Sequence, residues 1–169
     1  MDYKPSKTER AKAALGEAVL ALLREAPDRR MTVEDIVEQA GMSRATWFRN
    51  CAGKEDAVAS ALVDRWSRWA ADKGVEAGVF LHPLPFLRYV YGERDVILLL
   101  YASGMRSAVL EASSRISDKL RRPDDGLEYR RKFFLYGVVG LIDEWVRKDF
   151  SDSPEDVAAA IDWQSIAKS

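Results

Sequence analysis

The chain has 169 residues, 47% apolar and 31% charged, and its 26 Lys and Arg against 27 Asp and Glu leave a formal net charge of −1. That length supplies one compact domain, or two small ones sharing a helix, with a core large enough to need no metal or disulfide, and the single cysteine, Cys51, permits no internal disulfide. Apolar stretches such as Val96 to Met105 and Phe133 to Leu141 fall far short of the roughly 20 residues a membrane-spanning helix needs, so no membrane partner is expected. The polar start, Met1 to Lys7, does not read as a secretory signal, and a reducing cytoplasm is the expected compartment. One histidine, His82, and one cysteine make no clustered zinc site, and no phosphate loop or nucleophile motif appears. Neither a metal or other cofactor nor an enzymatic activity is expected.

The periodicity is helical nearly throughout, which predicts an all-α protein. The first helix starts at Ser6, which with Glu9 fits a capping box, and runs to about Ala26, where Pro27-Asp28 ends it. A second begins at Thr32, whose hydroxyl can cap the amide near Asp35, and stops at Ala40-Gly41. Ser43 caps a third, short helix through Asn50, and Ala52-Gly53 breaks the chain again. From Lys54 a longer helix places Val58, Leu62, Trp66 and Trp69 on one face and reaches Lys73 or Gly74. His82-Pro83-Leu84-Pro85 marks a linker. Beyond it come helices over about Leu84–Tyr91, from Arg94, and one ending near Arg122-Pro123, then a loop at Asp124-Asp125-Gly126. A long helix spans about Leu127–Lys148, and Ser153-Pro154 opens a last one predicted to reach Ala167.

The near-neutral average charge hides placement: residues 1–70 carry 12 basic and 11 acidic side chains, whereas 71–169 carry 14 and 16. Residues 32–50 read as helix, glycine turn and helix, the sequence form of a helix-turn-helix, whose second helix enters the major groove of duplex DNA. Within Ser43 to Asn50 the helical period puts Arg44, Ala45, Phe48 and Arg49 on one face and turns Met42, Trp47 and Cys51 back towards Ile36, Ala40 and Leu62. Arg44 and Arg49 suit a two-pronged bond to guanine or a phosphate contact, Ala45 a thymine methyl, and Ser43 and Thr46 a phosphate. Lys54 opposes the dipole of the helix it begins, a cost that a docked phosphate would offset, although Glu55 and Asp56 already offset part of it. Cys51 reads as a buried, inert thiol rather than a redox sensor.

A leading helix of about 20 residues, then Thr32 to Asn50, then Gly53-Lys54-Glu55-Asp56, closely resembles the DNA-binding domain of the TetR family of transcriptional regulators over about residues 6–70. The resemblance implies a three-helix helix-turn-helix domain, residues 1–53, and a helical effector-binding and dimerisation domain, residues 54–169. It implies DNA contacts from Thr32, Ser43, Arg44, Ala45, Thr46, Phe48, Arg49, Asn50 and Lys54, with Lys54 on phosphate. Two positions depart from the pattern: Phe48 stands where the family usually has tyrosine, leaving only apolar or stacking contact, and Cys51 stands where a large apolar residue is usual.

The long helix carries two neighbouring apolar stripes, Phe134, Val138, Leu141 and Trp145 beside Leu135, Val139, Ile142 and Val146, and should bury against two partners. Gly137 and Gly140 suggest close approach of another helix, within one subunit or between two. Residues 84–165, with Phe134 to Trp145 followed by Ser153-Pro154-Glu155-Asp156, look like the C-terminal domain of the dihydroxyacetone-kinase regulator subgroup. That resemblance implies a homodimer through a four-helix bundle, here Phe134, Gly137, Val138, Leu141 and Trp145 with Val157 and Ile161 of the last helix. It also implies control by a small-molecule effector or a protein partner. A ligand pocket would gather Phe86, Tyr89, Tyr91, Leu98, Tyr101, Met105 and Tyr136, although aromatic residues at helical spacing more often form plain core, and Arg106 and Arg130 could attract an anionic effector but read first as solvated surface charges. The reading is a TetR-like regulator, a repressor at a near-palindromic duplex operator. The alternative is a helical protein-binding adaptor, or a partner-dependent activator, with weakened DNA binding.

Overall fold

The computed structural model describes residues 3–27, 30–75, 84–119 and 128–161. These form helices α1 (Lys7–Glu25), α2 (Val33–Gln39), α3 (Arg44–Asn50), α4 (Lys54–Lys73), α5 (Leu84–Gly92), α6 (Arg94–Ala102), α7 (Arg106–Lys119), α8 (Glu128–Arg147) and α9 (Pro154–Ala159). No strand occurs among the described residues, so the all-α expectation holds. No described helix is long and apolar enough to cross a membrane. The expected breaks at Asp28, His82-Pro83 and Arg122 to Gly126 lie outside the described residues. The last helix was expected to reach Ala167. Its helical turns end at Ala159, and residues 162–169 lie outside the described residues.

Short-range chemistry starts these helices. The Ser6 hydroxyl accepts from the Glu9 amide at 3.2 Å while the Glu9 carboxylate accepts from the Ser6 amide at 2.8 Å, closing a capping box on α1. Thr32 and Asp35 repeat the device on α2, at 3.2 and 2.8 Å. Ser43 caps α3 by accepting from the Thr46 amide at 3.2 Å, and Ser153 caps α9 by accepting from Asp156, with proline at the first helical position. The turn between α2 and α3 depends on Gly41, whose φ of 62° lets the Met42 amide donate to the Val37 carbonyl at 2.8 Å.

Packing then joins the ends of the chain. α4 is the shared element, lying against α1 on one side and α7 on another, while α2 and α3 pack on α1 and on each other. The α1–α4 crossing is closed at Gly16, where a Cβ would sit 2.1 Å from the Ala57 carbonyl oxygen and 2.8 Å from the Ala61 Cβ. One hydrophobic cluster runs without a break from Leu15, Ile36 and Trp47, through Val58, Leu62 and Trp66, to Leu100, Val109, Ile142 and Trp145. Two aromatic groups extend it. Trp66 meets Trp69, Phe86 and Tyr89 at 5.0–5.4 Å between ring centres, and Trp145 meets Tyr91 and Phe150 at 5.7 and 5.1 Å. Phe150 and its neighbour Asp149 adopt positive φ, 53° and 51°, unusual for side-chain-bearing residues. Burial of the Phe150 ring and the bond from its amide to the Trp145 carbonyl, 2.8 Å, offset that strain.

Candidate nucleic-acid interface

Two anchors aim α3. Trp47 is 4% exposed and Cys51 8%, both packed in the cluster that holds Ile36 and Leu62, so the opposite face of the helix is turned to solvent. That face carries Arg44, Ala45, Phe48 and Arg49, all exposed, with Phe48 at 64%. Burial, with a smaller contribution from nearby Asp56, pushes the Cys51 thiol up to about 11, which makes it unreactive at neutral pH.

The remaining expected contact residues divide by how their polar groups are used. The Ser43 hydroxyl holds the α3 cap and lies 3.0 Å from the Thr46 hydroxyl. Thr32 is engaged in its own cap, its hydroxyl donating to Asp35 at 2.8 Å. Asn50 donates its side-chain amide to the Thr46 carbonyl at 2.7 Å, stiffening the end of α3. Thr32, Ser43, Thr46 and Asn50 are therefore positioned beside the exposed face with their side chains largely occupied in holding it. Lys54 is exposed at the first position of α4, whose N-cap, Gly53, supplies no side-chain bond.

The structure adds contacts between elements at this site. Arg44 is ion-paired through Nη1 with Oε1 of Glu34 on α2, and its guanidinium carbon lies 5.7 Å from the centre of the Phe48 ring. Asp56, in the first turn of α4, accepts from the Ala52 amide at 2.8 Å, from Lys12 of α1 at 3.2 Å and from Arg115 of α7 at 2.6 Å. Burial raises the Asp56 carboxyl, but these three donors outweigh it and hold the group below its ordinary range. Arg115 also donates to the Ser60 hydroxyl at 2.9 Å, so α7 grips the same end of α4 that presents Lys54.

On α8 and α9 the residues expected at a subunit interface differ in exposure. Val138 and Trp145 are buried in the chain's own core, and the Trp145 indole donates to the Asp152 carbonyl at 2.9 Å. Phe134, Leu141, Val157 and Ile161 are half-buried. The solvent face carries Tyr129, Phe133 and Tyr136, 93%, 73% and 60% exposed, and near its end the exposed ion pair of Glu144 and Arg147. Gly137 and Gly140 lie on that face with open space where a Cβ would project, so the close approach they suggest is not made by any described helix of the same chain.

The side chains expected around a ligand are placed as follows among the described residues. Phe86 and Tyr89 pack on Trp66, Met105 is core, Leu98 is half-buried against it, Tyr91 stacks near Trp145, and Tyr136 faces solvent. The Tyr101 hydroxyl donates to Asp143, which also accepts from Arg106 Nε at 2.8 Å, so Arg106 is tied to α8. The Arg130 side chain lies outside the described residues. Two cavities, of about 350 and 380 Å³, lie elsewhere, one between α1, α4 and α7 around Tyr3 and Lys119, the other between α8 and α9 around Trp145 and Val157. No group of His, Cys, Asp and Glu suited to a metal occurs among the described residues.

No family model matches the chain, and a search of curated proteins finds no match.

Proposed function

We propose that this chain is a TetR-like, sequence-specific DNA-binding regulator of transcription, a repressor, with α2 and α3 as its helix-turn-helix and α3 as the reading helix. One observation carries the reading: Trp47 and Cys51 fix α3 in the core so that Arg44, Ala45, Phe48 and Arg49 stand outward together. Two guanidinium groups, a methyl and an apolar ring on two turns of exposed helix suit the major groove, where guanine presents two acceptors and thymine a methyl. Lys54 supports it from the adjacent helix end, as a cation placed to meet a backbone phosphate.

A regulator of this kind reads a near-palindromic operator as a homodimer, since a two-fold protein matches a two-fold site. The part of the α8 solvent face formed by Phe133, Tyr136, Gly137 and Gly140 fits a second copy of itself: aromatic rings exposed this fully are a docking signal, and glycines allow two helices to approach closely. A small-molecule effector or a protein partner acts through the helices beyond α4, and Arg115 on α7 supplies a direct contact from those helices to the base of the reading unit.

Gel shifts with the DNA flanking the protein's own gene test the reading. A discrete complex that Arg44→Ala removes supports it. Weak binding independent of sequence and unaffected by Arg44→Ala overturns it and favours the adaptor.

A further inference from the structure

The arginine at the first position of α3 is held from two sides. Glu34 on α2 engages Nη1, and the Phe48 ring, one turn along α3, lies 5.7 Å from the guanidinium carbon. All three side chains are exposed, Arg44 at 60%, Glu34 at 56% and Phe48 at 64%, so core packing does not impose the arrangement. An exposed ion pair contributes little to folding stability, and its main consequence here is orientation. A long arginine side chain ordinarily samples many rotamers. One carboxylate at Nη1 and one ring against its carbon select among them, and five N–H donors on a planar group still leave a donor edge for a base.

We propose that Glu34 is the positioning residue that aims Arg44 at a guanine, and that Phe48 covers the methyl of a thymine on the neighbouring base pair, so that each half-site contains a fixed thymine–guanine step. This rests on the DNA-binding reading above and adds what α3 reads. Arg44 and Phe48 lie side by side on one face of α3, 5.7 Å from guanidinium carbon to ring centre, so the two side chains enter one groove together and address neighbouring positions in it. The ring of Phe48 has no polar atom, which leaves the thymine methyl as the base-edge feature it can recognise. Glu34 has a second, opposite effect: a carboxylate facing a polyanion weakens attraction to every duplex alike.

The two effects separate in one experiment. The full-length chain is used to select duplexes from a randomised pool, and the selected site and single-base variants are titrated with the wild type, Glu34→Gln, Phe48→Ala and Arg44→Ala. Arg44→Ala abolishes the guanine preference, a loss of about 5- to 150-fold for a two-pronged contact. Glu34→Gln lowers preference at that same position roughly fivefold while raising affinity for unselected DNA about twofold at low salt. Phe48→Ala removes the thymine preference next to it. A purely structural role for Glu34 would not move specificity and non-specific affinity in opposite directions. If the wild type selects a site and Glu34→Gln keeps the wild-type preference at every position, this inference falls while DNA binding stands. If the wild type selects no sequence, the DNA-binding reading itself falls.

Discussion

The outer faces of α3 and α8 are oriented by the same means and differ in what they present. In α3, Trp47 and Cys51 are sunk in the core and Arg44, Ala45, Phe48 and Arg49 stand out; in α8, Leu135, Val139, Ile142 and Trp145 are sunk and Tyr129, Phe133 and Tyr136 stand out. The first exposed face pairs cations with one ring and suits a polyanion carrying apolar methyls. The second is aromatic and interrupted by two bare glycines, and suits an apolar surface of matching shape. A buried stripe therefore fixes where a helix points, while the chemistry of the opposite stripe decides what can dock there.

Substitutions in the core and on each face test this difference. The largest effect is expected at the α1–α4 crossing, since α3 packs on α1. Gly16→Val would drive a side chain into the Ala57 backbone, and the main chain cannot yield cheaply. Destabilisation of about 3 kcal/mol or more is expected in urea titrations, and a variant as stable as wild type would mean that the α1–α4 crossing is looser than described.

Asp56→Asn comes next. It weakens three charge-assisted contacts made by Ala52, Lys12 and Arg115 and should cost about 1–3 kcal/mol. The pH dependence has a definite sign, because the folded carboxyl lies below its ordinary range. Its contribution is fully present above the unfolded value, near pH 4, and is lost as pH falls through the folded value. Asp56→Asn should accordingly flatten the acid limb of the stability profile, and an unchanged limb would assign it to other carboxylates.

Substituting the α8 face tests the partner assigned to it. Phe133→Glu places a charge among exposed aromatic rings and should shift sedimentation from dimer to monomer at micromolar concentration without loss of helix content. A persistent dimer would move the interface away from Phe133 and Tyr136. The smallest effect belongs to Lys54→Ala, which should weaken binding to all duplexes and reduce the slope of log affinity against log salt by about 1. An unchanged slope would remove Lys54 from the phosphate contacts.

The amino-terminal helices were legible because their signals act within three residues. Ser6 with Glu9, Thr32 with Asp35 and Ser43 with Thr46 are read from adjacent letters, and each is found as a formed cap. The outward face of α3 followed from helical period alone, since one side of it is distinctly apolar. α8 was ambiguous because both of its stripes are apolar. The core takes Val138 and Trp145 from one stripe and Leu135, Val139 and Ile142 from the other; Trp145 meets Tyr91 and Phe150, the latter folded back through positive φ, and no periodicity encodes that reversal. The Gly16 crossing onto Ala57 and the bond from Arg115 to Asp56 join residues 41 and 59 positions apart in sequence, and the Glu34 contact to Arg44 bridges the Gly41 turn. Such pairs are selected by tertiary packing, which spacing does not reveal.

The most direct test is an NMR titration of the isotope-labelled chain with its selected duplex, following backbone amides and arginine side chains together. Shifts concentrated at Arg44, Ala45, Phe48 and Arg49, with Phe133 to Gly140 unmoved, are the predicted result. A quiet α3 alongside a response on α8 would contradict it.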